Sequence, residues 1–243
     1  MKKRPIFLLI TSILLFNAGS LYAQEEAPQE APIDSIAADT LPSVPVRYGI
    51  RLGVDLSKPI RTFLDDDYKG LEIKGDYRIK RDWYIAAELG TEEKHSEEQT
   101  VTSFAKGSYG KLGVDYNAYV NWEGMHNMIY VGARYGFSSF TTELREYGIY
   151  NTDPYFGPDI REESQEFSGL TASWLELQLG VKVEVLQNLY LGAHVEVKRL
   201  ISQERPDNFD NLYIPGFNRT YDFGSSGIGF GYSISYFLPL YRK

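Results

Sequence analysis

The chain has 243 residues, with 25 basic against 33 acidic side chains, a net charge of −8 and no cysteine. The length suits one sizeable domain, and the missing cysteine excludes a disulfide framework, a thiolate metal site and a lipid-acylated N-terminus. The acidic balance argues against nucleic acid as a partner, since phosphate binding needs clustered Lys and Arg.

Lys2, Lys3 and Arg4 precede an apolar run from Ile6 to Phe16, and Leu21-Tyr22-Ala23 then leads to Gln24. This is the pattern of a secretory signal peptide, residues 1–23, cleaved after Ala23. A membrane anchor fits less well, because the run falls short of the ~20 residues that span a bilayer as a helix. Cleavage would take the net charge from −8 to −11. Residues 24–45 carry Glu25, Glu26, Glu30, Asp34 and Asp39, no base, and Pro28, Pro32, Pro42 and Pro45. That composition predicts a disordered acidic linker, a solvated tail more readily than a handle for periplasmic chaperones.

From residue 46 to 243 the sequence alternates between apolar and polar residues with a period of two. Tyr48, Ile50, Leu52, Val54 and Leu56 oppose Gly49, Arg51, Gly53, Asp55 and Ser57, a first strand that ends near Pro59. Leu71, Ile73, Gly75, Tyr77 and Ile79 oppose Glu72, Lys74, Asp76 and Arg78, and a tight turn at Lys80-Arg81-Asp82 leads into a third strand, Trp83 to Gly90. A polar loop from Glu92 to about Thr102 precedes a fourth strand, Lys111 to Tyr119. Beyond the turn 121–127, the fifth runs from Ile129 to Ser138 and gives way to a long loop from about Thr142 to Gly169. In the sixth strand, Leu175, Leu177, Leu179, Val181, Val183 and Val185 face one way while Glu176, Gln178, Lys182 and Glu184 face the other. The seventh, Leu189 to Lys198, follows directly, and the eighth, Gly227 to Leu238, comes after a loop from Glu204 to Ser226.

The eight strands have short connections after the second, fourth and sixth and longer ones after the others. An up-and-down antiparallel transmembrane β-barrel has that asymmetry, with short periplasmic turns and long extracellular loops, which would put both termini in the periplasm. Tyr48, Tyr77, Trp83, Tyr116 and Tyr236 collect on the apolar face at the predicted periplasmic ends, as an interfacial aromatic girdle would, with Tyr135, Phe137 and Phe230 at the other ends. On the polar face Arg51, Lys74, Arg78, Lys111, Arg134, Lys182 and Lys198 nearly balance Asp55, Glu72, Asp76, Glu88, Asp115, Glu176, Glu184 and Glu196, so a narrow lumen could fill with ion pairs. The competing reading is a water-soluble, lipocalin-like barrel with its polar face outward.

The segments YGIRLGVDLSKPIRTFLDDDYKGLEIKGDYRIK (Tyr48 to Lys80), GSYGKLGVDYNAYVNWEGMHNMIYVGARYGFSSF (Gly107 to Phe140) and PDNFDNLYIPGFNRTYDFG (Pro206 to Gly224) resemble a family of outer-membrane barrels from Bacteroidota, domain of unknown function 6048. The likeness spans Tyr48 to Lys243 and implies fold and location, but no activity and no catalytic residues. Small barrels of the OmpA and OmpX type are similar in size, an architectural analogy only.

The candidate chemistry is sparse. His95 falls in the acidic loop, His126 in a turn, and His194 on the inward face near Glu196 and Tyr190, where a hydrogen-bonding role in the lumen is expected over that of a catalytic base for Ser233 or Ser235. Asp65-Asp66-Asp67, and Asp207, Asn208, Asp210 and Asn211, offer oxygen ligands without EF-hand spacing and read as solvated loops. Tyr213-Ile214-Pro215-Gly216-Phe217 is costly to leave in water and is expected to fold over the barrel mouth as a plug, with a partner site as the alternative. The sequon Asn218-Arg219-Thr220 and the in-strand Gly227-Ile228-Gly229 carry no expected function.

The resulting expectation is a Gram-negative cell-envelope barrel with a structural or surface-binding role, and no catalytic, cofactor-binding or metal-binding residue. Its partners would be outer-membrane lipid including lipopolysaccharide, with the barrel assembly machinery and periplasmic chaperones acting during biogenesis, and the protein is expected to be monomeric. A lipid-modifying enzyme and a narrow pore are the alternatives.

Overall fold

A computed structural model describes residues 47–98, 101–119, 125–149, 159–161, 164–206, 210–220 and 224–242. The signal peptide and linker expected over 1–23 and 24–45 lie outside the described residues, as do Asp207 and Asn208.

Eight antiparallel strands close into a ring: β1 (Arg47–Asp55), β2 (Tyr68–Arg78), β3 (Trp83–Glu98), β4 (Val101–Asn117), β5 (Met128–Ile149), β7 (Gln165–Leu186), β8 (Leu189–Gln203) and β11 (Ser226–Arg242). Each pairs with its neighbour in sequence, β5 with β7, and β11 returns to β1. A short β6 (Asp159–Arg161) extends β5, and β9 (Tyr213–Ile214) and β10 (Asn218–Arg219) form a separate two-stranded ribbon.

A walk perpendicular to the strands from Ile228 passes Val197, Leu177, Ala133, Val114, Ile85, Tyr77 and Ile50 and returns to β11 at Leu238, ten residues further on. That stagger closes an eight-stranded barrel with strands tilted by about 40° and an interior only wide enough for side chains.

Every residue on this walk faces outward. Leu89 is 67% exposed, Leu112 62%, Leu177 62% and Ile228 81%, and with their outward neighbours they form an apolar belt. A soluble protein does not present an apolar surface of that extent to water, so the belt, about 25 Å tall, is the lipid-facing band of a transmembrane barrel. At one rim Tyr48 stacks on Tyr241 at 5.0 Å and Trp83 lies 5.1 Å from Tyr116, the expected girdle of rings with a polar edge. At the other rim Tyr135, Phe137 and Phe230 are exposed, as expected for a second girdle.

Two expectations fail at the far end of the barrel. The polar loop expected over Glu92 to Thr102 is strand: β3 and β4 stay paired from Trp83↔Tyr116 up to Glu98↔Val101. Likewise β5 and β7 stay paired into both ends of the loop expected from Thr142 to Gly169, up to Leu144↔Gln165. The barrel therefore projects beyond the lipid on that side as a tall wall.

A further correction concerns β1, which is expected to run as strand to near Pro59. It stops at Asp55, and an α-helix, α1 (Ser57–Leu64), follows. The Asp55 carboxylate accepts the Ser57 backbone N–H at 2.8 Å and bonds the Ser57 hydroxyl as well. That local turn breaks the ladder, and Pro59, lacking an N–H, favours the first turn of a helix over a strand.

Candidate functional site

The lumen is packed with the ion pairs that the alternation placed there. Lys111 Nζ lies 3.0 Å from Glu88, 3.5 Å from Glu176, 3.6 Å from Glu72 and 3.7 Å from Glu196. Lys74 reaches Asp55 at 2.9 Å and Glu72 at 3.1 Å, and Arg134 holds Asp115 at 2.7 Å. Towards the girdle rim, Lys182 and Arg51 share Asp76 at 2.8 and 3.0 Å, and Arg47 closes that end on Glu184 at 2.8 Å. Burying charge is costly unless each ion is paired, and strands from every side of the barrel supply these partners. Two voids in the lumen are about 30 and 20 Å³, each the scale of a single water.

His194 belongs to this network. Its Nε2 lies 3.1 Å from Lys74 Nζ and 3.8 Å from Glu196, and the side chain is buried on the inner wall. The register fixes what sequence left open: His194 is opposite Gly231, with Ser233 opposite Gly192 and Ser235 opposite Tyr190. All three face the lumen, walled off from lipid.

Above the lipid band the inner face changes character. Tyr109, Phe140, Leu170, Ala172 and Trp174 form an apolar cup, and Ile214 and Phe217 of the β9–β10 ribbon fill it, with the Phe217 ring edge-on to Trp174 at 6.0 Å. Residues 213–217 are all buried, so the expected plug is present. Two glycines make the fit possible. A Cβ on Gly136 would sit 2.2 Å from the Trp174 ring, and Gly216, at φ +82°, turns the ribbon 2.5 Å (as a Cβ would measure it) from the Tyr109 ring.

Glu92 fastens the plug. β3 leaves the lipid band after Leu89, and just above it the buried Glu92 carboxylate accepts from Tyr213 Oη at 2.6 Å, Gly216 N at 3.0 Å, Tyr68 Oη at 3.0 Å and Lys58 Nζ at 2.5 Å. Burial pushes this carboxyl up, but Lys58, the Gly216 N–H and the Tyr213 hydroxyl outweigh it and hold the group at about 2. Lys198 completes the fastening through Gly216 O at 2.7 Å. Glu92 opens the stretch expected as a polar loop, and nothing in the alternation marks it for this role.

Other candidates disperse. His95 stands on β3, not in a loop, and its backbone N–H donates to Asp67 O at 2.8 Å. Asp65 is occupied by Lys94 at 3.1 Å and Arg61 at 3.5 Å. Asn211, expected in a solvated loop, is buried and donates to Glu204 O at 2.7 Å and Gln203 at 3.2 Å, which anchors the plug's approach. Among the described residues no group of three or more His, Cys, Asp or Glu is arranged to hold a metal.

The wall is incomplete on one side. β1 pairs with β11 only as far as Asp55↔Ser233, with one more bond from Leu56 N to Tyr232 O, and with β2 only as far as Val54↔Ile73. Among the described residues Ser226 to Gly231 of β11 therefore pair with β8 alone. Helix α1 stands in the gap on the β2 side, where Thr62 Oγ1 accepts the Gly70 N–H at 3.0 Å. Between α1 and β11 a cleft of about 840 Å³ remains.

A family match spans residues 6–243. The chain belongs to the domain of unknown function family DUF6048. No curated protein matches it. DUF6048 here has the form of a small outer-membrane barrel, and solved structures similar to it include Ail, the attachment invasion locus protein of Yersinia pestis. That structure is 10% identical, with 81% of this chain and 98% of Ail covered at a TM-score of 0.40. Neisserial surface protein A is 14% identical over 79% and 95% of the two chains at 0.36, and CarO2 of Acinetobacter baumannii is 9% identical over 80% and 99% at 0.38.

Proposed function

We propose that this DUF6048 protein is a closed, non-conducting outer-membrane barrel that presents a rigid extracellular rim for surface binding, with both termini in the periplasm. The observation that carries this reading is the doubly blocked interior: a lumen filled with paired charges, and above it a plug locked by Glu92 and Lys198. Eight strands leave no continuous water path once side chains occupy the interior. His194, held against Lys74 behind the wall, is placed for hydrogen bonding and not for attack on a lipid, which supports a non-enzymatic role.

The test is planar-bilayer recording of the purified protein, expected to show no discrete conductance steps; steady unitary currents would overturn the closed reading. Mass spectrometry of lipid A from a deletion strain is expected to show an unchanged acylation pattern. Orientation follows from epitope accessibility on intact cells, with a tag between β3 and β4 exposed and a C-terminal tag protected.

A further inference from the structure

Helix α1 is amphipathic in the reverse sense to a helix in water. Lys58, Arg61 and Thr62 tie it to the barrel: Lys58 Nζ meets the buried Glu92 at 2.5 Å, the Arg61 guanidinium lies 4.1 Å from the centre of the Tyr68 ring, and Thr62 Oγ1 accepts the Gly70 N–H at 3.0 Å. Ile60, Phe63 and Leu64, at the i, i+3, i+4 spacing of one helix face, turn away from it and are 50%, 87% and 82% exposed. A surface helix in water buries its apolar stripe and shows its charges. This one shows its apolar stripe and spends its polar groups on the protein.

That apolar face begins where the lipid band ends. Thr62 bonds Gly70, and the next residue, Leu71, is an outward leucine at the top of the band, paired with Thr91. Pro59 and Phe63 share with Leu71 a groove of about 380 Å³ on the outer wall, with Lys69 and Glu93 beyond Leu71 on the side away from the band. The face is thus continuous with an interface that already meets hydrocarbon. Eight helical residues span only about 12 Å, and three side chains on them fall short of the roughly 800 Å² that each partner buries in a stable protein interface. The cleft on the other side of α1 is lined by both charge signs, Lys58, Arg61 and Lys94 against Asp67, Glu97 and Glu196, and selects no ligand.

We infer that α1 is an interfacial membrane helix, whose Ile60, Phe63 and Leu64 enter the acyl chains of the leaflet away from the chain termini while Lys58, Arg61 and Thr62 moor it to the wall. Its partner is the hydrocarbon of the bilayer, with no headgroup charge required. An apolar helix face of this kind settles at the boundary of headgroups and acyl chains. Where β1 stops short, α1 carries the lipid-facing surface across the interrupted wall, so the boundary between lipid and water stands higher there than on β5.

The chain has no cysteine, so single-cysteine variants of the full protein carry one nitroxide label each. With the protein folded into phosphatidylcholine vesicles, power-saturation electron paramagnetic resonance compares collisions of the label with oxygen, which concentrates in hydrocarbon, and with a water-soluble nickel chelate. The oxygen-to-nickel ratio at Phe63→Cys is expected within about twofold of that at Leu179→Cys in the middle of the belt, and at least about fivefold that at Ser139→Cys on β5. Leu64→Cys supplies the same reading should Phe63→Cys fail to fold, and heat-modifiable gel mobility verifies each variant. A ratio at 63 and 64 matching that at 139 would put α1 in water and overturn the inference, and dipolar broadening between labels on two barrels would replace the lipid by a second copy. A water-like ratio at 179 as well would overturn it by a separate route, removing the membrane from the whole belt.

Discussion

Below the level of Leu71 and Leu89 the wall is apolar outside and charged inside; above it the same strands are polar outside and apolar inside. Thr91, Ser108 and Ser139 face outward there, while Ala105, Tyr109, Phe140 and Trp174 face inward. One ladder thus obeys two solvents in succession. In lipid the hydrophobic effect gives no reason to bury apolar groups inside, so the lumen is held by paired charge; in water the cup collapses on the plug as a soluble core would. The two halves should therefore fail by different mechanisms.

The largest effect is expected in the lower half. Lys111→Met leaves Glu72, Glu88, Glu176 and Glu196 facing one another without their shared cation. Removing one partner of a buried ionic cluster costs about 3–5 kcal/mol. Urea unfolding in detergent micelles should show that loss across the whole barrel, and a midpoint unchanged from the parent would refute the shared-cation account. In the upper half, Phe217→Ala empties the cup against Trp174 at a cost of about 3–4 kcal/mol. Because the plug is a ribbon of its own, hydrogen exchange should rise over 213–219 while β7 and β8 within the band keep their protection.

The wall was legible in the sequence because lipid outside and charge inside give the greatest contrast between alternate residues. The lumen pairs followed from the same parity, and the plug showed because Tyr213 to Phe217 are too apolar for a loop. What stayed hidden lies where contrast vanishes. Along 91–98 both faces are polar, Thr91 and Glu93 outward against Glu92 and Lys94 inward, so a strand there looks like a solvated loop. Helix α1 was masked because its turn depends on Asp55, whose alternation reads as one more inward acid of β1. The cleft was invisible for the same reason, since it exists only because β1 stops short of β11 and β2.

Acid should separate the halves next. Glu92 is held at about 2 in the folded protein against an ordinary value of 4.5. A depressed folded value means its contribution is fully present above about pH 4.5 and drains away as pH falls towards 2, by about 3 kcal/mol in all. Stability of the plug measured by exchange over 213–219 should fall across that window. Glu92→Gln should flatten the acid limb, and an equally steep limb in that variant would assign the titration elsewhere.

The smallest effect tests where the boundary between the two solvents runs. Leu179 faces outward in the middle of the belt and Ser139 faces outward just above it, and both are exposed. If the outer face below Leu71 meets lipid, Leu179→Arg places a cation in hydrocarbon at about 2–3 kcal/mol, while Ser139→Arg places the same cation in water at close to zero. Refolding equilibria in lipid vesicles read the difference directly, and in plain denaturant without lipid the gap should close. A cost at Ser139 equal to that at Leu179 would move the boundary up and draw Glu92 and the plug into the membrane. Equal indifference at both sites would remove the lipid from the lower half, and with it the reason its lumen is filled by charge.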